Sequence, residues 1–80
     1  MNLKPIATEK AIMKVETENI ITFLVDQKDT KQEIKKEVED LFKVKVEKIR
    51  TQIRNNRKIA YVKLNKKDLA IDLATKLGLM

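Results

Sequence analysis

The chain has 80 residues, of which 42% are hydrophobic and 38% charged. This length predicts a single domain over residues 1–80 with a thin core, because so short a chain buries only about 60% of the surface that its unfolded form exposes. Cysteine and histidine are both absent, which excludes disulfides, zinc sites with thiolate or imidazole ligands, cysteine nucleophiles and histidine bases. No stretch resembles a signal peptide or approaches the roughly 20 apolar residues of a membrane span, so we expect a cytoplasmic protein.

The net charge of +6 hides two regions of opposite sign. Residues 43–67 contain ten basic residues and one acidic residue, Glu47, whereas the remainder contains eight basic and eleven acidic residues. A solvated surface rich in lysine and glutamate would mix the two signs along the chain. The segregation therefore favours a surface that binds a polyanion.

The first predicted elements are a short helix and a strand. Thr8 is placed to cap a helix from Glu9 to about Glu16, with Glu9 near the positive end of the helix dipole. The segment 20–26 then predicts a strand in which both faces are largely apolar. One face carries Ile21, Phe23 and Val25, and the other carries Ile20, Thr22 and Leu24.

The clearest predicted helix follows a capping box formed by Thr30 and Glu33. Behind this box, apolar residues recur at i, i+4, i+7 and i+8, which is typical of one buried helix face. These residues are Ile34, Val38, Leu41 and Phe42.

The basic segment predicts a β-hairpin. Its alternation of apolar residues slips by one near Glu47 and Lys48, which indicates either a β-bulge or a strand that begins only near Glu47. Asn55 and Asn56 are suited to a two-residue hairpin loop, because asparagine tolerates positive φ. The returning strand, 57–64, has Ala60, Val62 and Leu64 on one face and Ile59, Tyr61 and Lys63 on the other.

A last short helix is predicted after Asn65 and Asp68, which offer a cap, and Gly78 is the expected stop. Its apolar stripe consists of Leu69, Ala70, Leu73, Ala74 and Leu77.

Together these elements predict an α+β fold with a three-stranded, mainly antiparallel sheet. A right-handed crossover makes the first two strands parallel, and the third fills the gap between them, so the strand order is 1-3-2 in a split β-α-β unit. The helices cover one face. The opposite face stays open for a partner, and it carries either the set of Ile20, Leu24, Ile59 and Tyr61 or the converse set.

The residue inventory argues against an enzyme. The single glycine is near the C-terminus, so there is no glycine-rich phosphate loop. Adjacent acids such as Glu39 and Asp40 point apart on a helix and are typical of a solvated surface. We expect no catalytic residues, no metal, no cofactor and no small-molecule substrate.

The remaining candidate function is RNA binding, which can occur in two physical ways. Reading of unpaired bases on a sheet requires aromatic residues, but Phe23 and Phe42 are needed in the core, so that only Tyr61 could stack. Tyr61 could equally close the edge of the sheet. Phosphate-dominated docking needs arginine and lysine on a rigid scaffold, and the predicted hairpin from Arg50 to Lys58 supplies them.

Five segments of the chain have an order and spacing that resemble the L twenty-three family of large-subunit ribosomal proteins. They are Ile6-Ala7-Thr8-Glu9-Lys10-Ala11, Asn19 before the first predicted strand, Thr30-Lys31-Gln32-Glu33-Ile34, the run from Val38 to Val46, and Ala60-Tyr61-Val62-Lys63-Leu64. The match covers nearly the whole chain. The compact hairpin at Asn55 and Asn56 resembles the archaeal form, since bacterial members carry a long extension there.

The resemblance implies a ribosomal protein that is a monomer within the large subunit, binds its ribosomal RNA and helps to form the rim of the polypeptide exit tunnel. It implies ribosomal protein L twenty-nine as a neighbour, and the signal recognition particle and the protein-conducting channel as docking partners. Glu9 matches the glutamate with which bacterial members contact trigger factor, although a role at the helix dipole would also explain it. The candidate RNA-binding residues are Lys10, Lys31, Lys45, Arg50, Arg54, Asn55, Asn56, Arg57, Lys58 and Lys63.

Two other functions compete with this one. A free-standing regulator that binds RNA or DNA would have the same charge pattern. A small enzyme of ferredoxin-like shape, such as an acylphosphatase, would need a glycine-rich anion loop with an arginine, which this chain lacks.

Overall fold

A computed structural model describes residues 3–78 of the chain. These residues form three helices and four strands. In chain order they are β1 (Lys4–Pro5), α1 (Glu9–Glu18), β2 (Ile20–Val25), α2 (Lys31–Phe42), β3 (Val46–Arg54), β4 (Arg57–Leu64) and α3 (Ala70–Lys76). None of the helices between residues 3 and 78 has the length and hydrophobicity of a membrane-spanning segment.

The four strands form one antiparallel sheet in the order β1-β2-β4-β3. The three predicted strands are neighbours in the predicted order, with β4 between β2 and β3. The predicted number of strands is wrong, because Lys4 and Pro5 pair with Leu24 and Phe23 and add a fourth strand at the edge. Proline is tolerated there because an edge strand has one row of N–H groups without ladder partners.

The core lies between one face of the sheet and the helices. Residues 21, 23 and 25 of β2 align with 62, 60 and 58 of β4, so that Ile21, Phe23, Ala60 and Val62 share this face and are fully buried. The α2 residues Ile34 and Val38 are also fully buried, and α1 and α3 contribute Val15, Leu73 and Ala74 to the same cluster. The Phe42 ring stacks on Phe23 with 5.9 Å between ring centroids.

Local sequence signals form as predicted at several points. The hydroxyl of Thr8 accepts the Ala11 N–H and that of Thr30 accepts the Glu33 N–H, so both helices begin at their predicted caps. Asn55 and Asn56 have φ values of 53° and 61°, as a two-residue hairpin loop requires. The register shifts between Val46 and Lys48, which confirms the bulge at Glu47.

Two of the predicted core residues lie at the surface instead. Leu41 is 56% exposed and Leu69 is 53% exposed. Leu41 follows the helical period of α2, but the face of α2 that is buried against the core carries Ile34, Val38 and Phe42 and does not extend to it. Leu69 precedes α3 as its N-cap residue in an extended conformation, so the helical period does not extend to it.

The predicted cap of α3 is also wrong. The Asp68 carboxylate accepts the N–H of Lys45, and the Asn65 side chain accepts the N–H of Lys67. The cap comes from Asn19, whose Oδ1 accepts the Ala70 N–H at 2.6 Å. This residue is 51 positions away in sequence, so no local pattern could indicate it.

Asn19 is the polar centre of this end of the fold. It has φ of 59° at the C-cap of α1, where a left-handed residue ends the helix. Its Nδ2 lies 3.0–3.2 Å from the carbonyl oxygens of Leu64, Asn65 and Asp68. One side chain thereby holds the end of α1, the exit of β4 and the start of α3 together.

Candidate nucleic-acid interface

The sequence left open which set of side chains lies on the open face of the sheet, and the structure decides this. The open face carries Ile20, Leu24, Ile59 and Tyr61, whereas the converse set is in the core. These four side chains are half-buried, and Thr22, which lies on the same face, is buried. The face is therefore partly apolar over β2 and β4.

Toward the β3 edge the same face becomes basic. Tyr61 is paired with Arg50, Lys63 with Lys48, and Arg57 with Arg54, and directly paired residues share a face of a sheet. The five cationic side chains are exposed and no acidic residue occupies a paired position among them. We call this set the basic face: Lys48, Arg50, Arg54, Arg57 and Lys63.

The electrostatics of the basic face are not balanced within the protein. Between residues 3 and 78 the one ion pair is Lys14 with Glu18, at 3.5 Å. The five cations are thus held by the strands at fixed spacing, exposed to water and without carboxylate partners in the described chain. Such an arrangement suits phosphate groups, which bind through Coulomb attraction and bidentate guanidinium contacts.

The hairpin tip extends this surface. Asn55 and Asn56 are exposed, and both amide side chains project from a loop whose backbone is fixed by positive φ. The Asn56 carbonyl accepts a hydrogen bond from the Gln27 side chain, which ties the tip to the loop before α2. The tip is therefore a braced support for the arginines on either side.

Lys58 differs from the other predicted RNA-binding residues in the hairpin. It is paired with Val25 and Ile53, so it lies on the core face rather than on the basic face. Its ammonium group donates to the carbonyl oxygens of Gln27 and Asp29. The geometry assigns Lys58 a structural contact.

The remaining predicted lysines are exposed but not on the basic face. Lys10 is in the first turn of α1 and Lys31 begins α2. Lys45 lies in the connection to β3, where its backbone N–H bonds Asp68. The structure thus brings Arg50, Arg54, Arg57 and Lys63 together and leaves these three apart.

Sequence reasoning missed Lys48, which completes the basic face. The bulge at Glu47 reverses the alternation of β3, and this places Lys48 opposite Lys63. The slip in apolar period was the signal, but its consequence for the charged residues depended on the true register.

The predicted docking residue Glu9 is exposed at the first position of α1. Met13 and Glu16 follow it at i+4 and i+7, so the three share one helix face. Met13 is 56% exposed, and Glu16 is exposed as well.

Metal chemistry finds no support in the described part of the chain. Residues 3–78 contain no group of three carboxylates placed to hold a metal ion.

The sequence model of the family described as Ribosomal protein L23 matches residues 1–71. The chain belongs to this ribosomal protein family. It is 50% identical over 76 residues to the large ribosomal subunit protein uL23 of Pyrobaculum aerophilum, and the match covers 94% of each chain. It is 43% identical over 77 residues to uL23 of Methanothermobacter thermautotrophicus, over 95% of this chain and 90% of that protein.

Membership in the L23 family confirms several expectations. The relatives are archaeal proteins of the large ribosomal subunit, so this chain is a component of that subunit and is located on ribosomes in the cytoplasm. They are ribosomal proteins and not enzymes, as the residue inventory predicted. Between a ribosomal protein and a free-standing regulator, the comparisons decide for the ribosomal protein.

Proposed function

We propose that this L23-family chain, acting as a single domain, binds large-subunit ribosomal RNA through the basic face. The observation that carries the proposal is the alignment of five exposed cations on β3 and β4 with no paired acid among them. Ribosomal RNA is the polyanion that a large-subunit protein meets. The RNA-binding set is then the basic face with Asn55 and Asn56, while Lys10, Lys31 and Lys45 are candidates for additional, separate phosphate contacts.

The contacts are dominated by phosphate. A duplex of RNA presents its phosphates along both strands, and the cations that meet them release condensed counterions. Arginine can bind two phosphate oxygens at once, which also fixes the orientation of the protein. The rigidity of the hairpin reduces the entropy lost on binding.

We also propose a position at the rim of the polypeptide exit tunnel, beside ribosomal protein L twenty-nine. The family resemblance supports this position, as it supports docking of the signal recognition particle and the protein-conducting channel. The α1 face of Glu9, Met13 and Glu16 offers a surface for a protein, since it combines an exposed apolar side chain with two carboxylates. Carboxylates would repel RNA phosphate and attract a basic protein surface.

The RNA-binding proposal is tested by the salt dependence of affinity for a large-subunit ribosomal RNA fragment. If about six phosphates are contacted, log K should fall against log salt with a slope of roughly −5. In a variant with Lys48, Arg50, Arg54 and Arg57 all changed to Ala, the slope should become shallower, at about −2, because four phosphate contacts are lost.

A control variant separates local contacts from net charge. Lys28, Lys35, Lys36 and Lys76 are exposed and lie off the basic face, and their change to Ala removes the same formal charge. This control should keep the slope within about one unit of the parent. Equal effects of the two variants would show that the RNA surface lies elsewhere.

A further inference from the structure

A cleft opens where α1 meets the half-buried part of the open sheet face. It has a volume of about 390 Å³. The side chains that matter for its chemistry are Lys14, Glu18, Ile20, Arg50, Gln52 and Tyr61. Its volume is within the range of about 300–1,000 Å³ that small-molecule sites occupy.

Tyr61 is the aromatic wall of this cleft. It is paired with Arg50 across the β3–β4 ladder and with Thr22 across the β2–β4 ladder, so it lies at the centre of the open face. Its hydroxyl donates to the Gln52 side-chain oxygen at 3.2 Å. That bond and the two flanking strands hold the ring in place.

One face of the Tyr61 ring is already used by a cation. The Lys14 ammonium lies 5.4 Å from the ring centroid and 3.5 Å from the Glu18 carboxylate. Both groups are substantially exposed, and cation–π contacts and ion pairs at exposed sites are weak. A flat ligand could displace the ammonium group at little cost.

The polar groups around the ring have the chemistry of a nucleotide site. The Gln52 oxygen is engaged by Tyr61, and its NH₂ group makes no hydrogen bond within residues 3–78, so it can donate to a base. The Glu18 carboxylate can accept from an exocyclic amino group. The Arg50 guanidinium can reach a phosphate or stack on a base.

We propose that this cleft binds one unpaired RNA base, which stacks on Tyr61 while Lys14 moves from the ring to the phosphate of that nucleotide. The inference rests on the proposed RNA binding and adds a base-stacking site to a surface otherwise dominated by phosphate contacts. A paired base does not fit this description, because its neighbours in the duplex cover both of its π-faces. The site therefore recognises a bulged, looped or single-stranded nucleotide beside the helix that the basic face binds.

The chain provides its own reporter for the test. Tyr61 is the one tyrosine in the sequence and tryptophan is absent, so the intrinsic fluorescence of the full chain comes from the proposed site. Two probes are titrated into the protein: a short single-stranded oligoadenylate and an RNA duplex of the same length. The oligoadenylate should quench Tyr61 strongly at saturation, and the duplex should quench it much less.

Two variants locate the effect. Tyr61→Leu should weaken oligoadenylate binding about fivefold to a hundredfold, as expected for the loss of one stacked base, and should leave duplex affinity within about twofold. Tyr61→Phe keeps the aromatic face and should bind oligoadenylate within about threefold of the parent, measured with a dye-labelled probe. Circular dichroism establishes whether each variant is folded. The quenching test uses only the parent protein, so it remains valid if a variant does not fold.

The outcomes distinguish this inference from the RNA-binding proposal. Absence of quenching at saturating oligoadenylate, or an equal loss of single-strand and duplex affinity in Tyr61→Leu, would overturn the base site. The salt slope for the ribosomal RNA fragment would then still stand as evidence for the basic face. Failure of the RNA-binding proposal would appear differently, as equal effects of the basic-face variant and its control.

Discussion

Asn19→Ala should destabilise the protein more than the replacement of any other exposed or half-buried polar residue. The Oδ1 of Asn19 accepts the Ala70 N–H, and its Nδ2 donates toward three carbonyl groups of the segment 64–68. Ala70 is fully buried. Asn19→Ala would leave that N–H without its acceptor and would put alanine at a φ of 59°.

The magnitude follows from these two effects. An unsatisfied buried N–H costs about 1–3 kcal/mol, and a left-handed backbone conformation costs an ordinary L-residue about 1–2 kcal/mol. The free energy of unfolding should therefore fall by about 2–5 kcal/mol. At about 0.05–0.15 kcal/mol per residue, a chain of this size has only about 4–12 kcal/mol in total.

Urea unfolding followed by circular dichroism would measure the loss. Asn19→Gly removes the same hydrogen bonds without the backbone strain, so it should lose about 1–3 kcal/mol. Asn56→Gly is the matched control, because Asn56 has φ of 61° in an exposed turn, and it should stay within about 0.5 kcal/mol of the parent. The reasoning is refuted if Asn19→Gly is as stable as Asn56→Gly.

Three further changes test other parts of the account. Val38→Ala should cost about 1–3 kcal/mol by leaving a cavity beneath the sheet, whereas the exposed Lys36→Ala should stay within about 0.5 kcal/mol; equal losses in urea titrations would contradict the assigned core. Lys58→Met should cost about 1 kcal/mol, because its ammonium group no longer bonds the loop before α2, and a change of about one unit in the RNA salt slope would instead make Lys58 a phosphate contact. Glu9→Lys should leave RNA binding and assembly intact, since the helix-dipole effect is only about 0.3–1 kcal/mol, and should weaken binding of the signal recognition particle to rebuilt ribosomes. Unchanged affinity of the particle would remove Glu9 from the proposed docking surface.

Much of the secondary structure could be predicted from short segments. The caps at Thr8 and Thr30 act within three residues of themselves, and the loop at Asn55 and Asn56 depends on the φ preference of asparagine alone. The slip in the apolar period near Glu47 indicated either a bulge or a later start of the strand, and the structure has the bulge. These features involve neighbours in the chain, so their energies depend little on what packs around them.

The two residues that were wrongly predicted to be in the core show that the apolar period of a helix alone does not predict burial. Leu41 satisfies the helical period as well as Val38 does, yet Val38 is fully buried and Leu41 is exposed. The width of the contact between a helix and a sheet sets how much of an apolar stripe is buried, and that width is a property of two elements together. Strand β1 escaped prediction for a similar reason, since two residues have no period and their pairing depends on the edge that β2 offers.

Part of the candidate site could be predicted from the sequence, and part depended on the register of the sheet. Composition located the basic segment, and the hairpin signal placed Arg50, Arg54 and Arg57 around one turn. Only the register of the sheet decided that Lys48 joins them and that Lys58 turns to the other face. A shift of one residue in a strand moves every side chain to the opposite face.

What the sequence by itself determined was therefore every element except β1, the order of these elements, the family resemblance and the position of the positive charge. The tertiary structure decided which face of the sheet is open, how its cations align, and that Asn19 caps a helix 51 residues further along the chain. The physical reason is range: propensities, caps and turns are set by contacts between near neighbours, whereas register, burial and long-range hydrogen bonds exist only once distant segments have packed together.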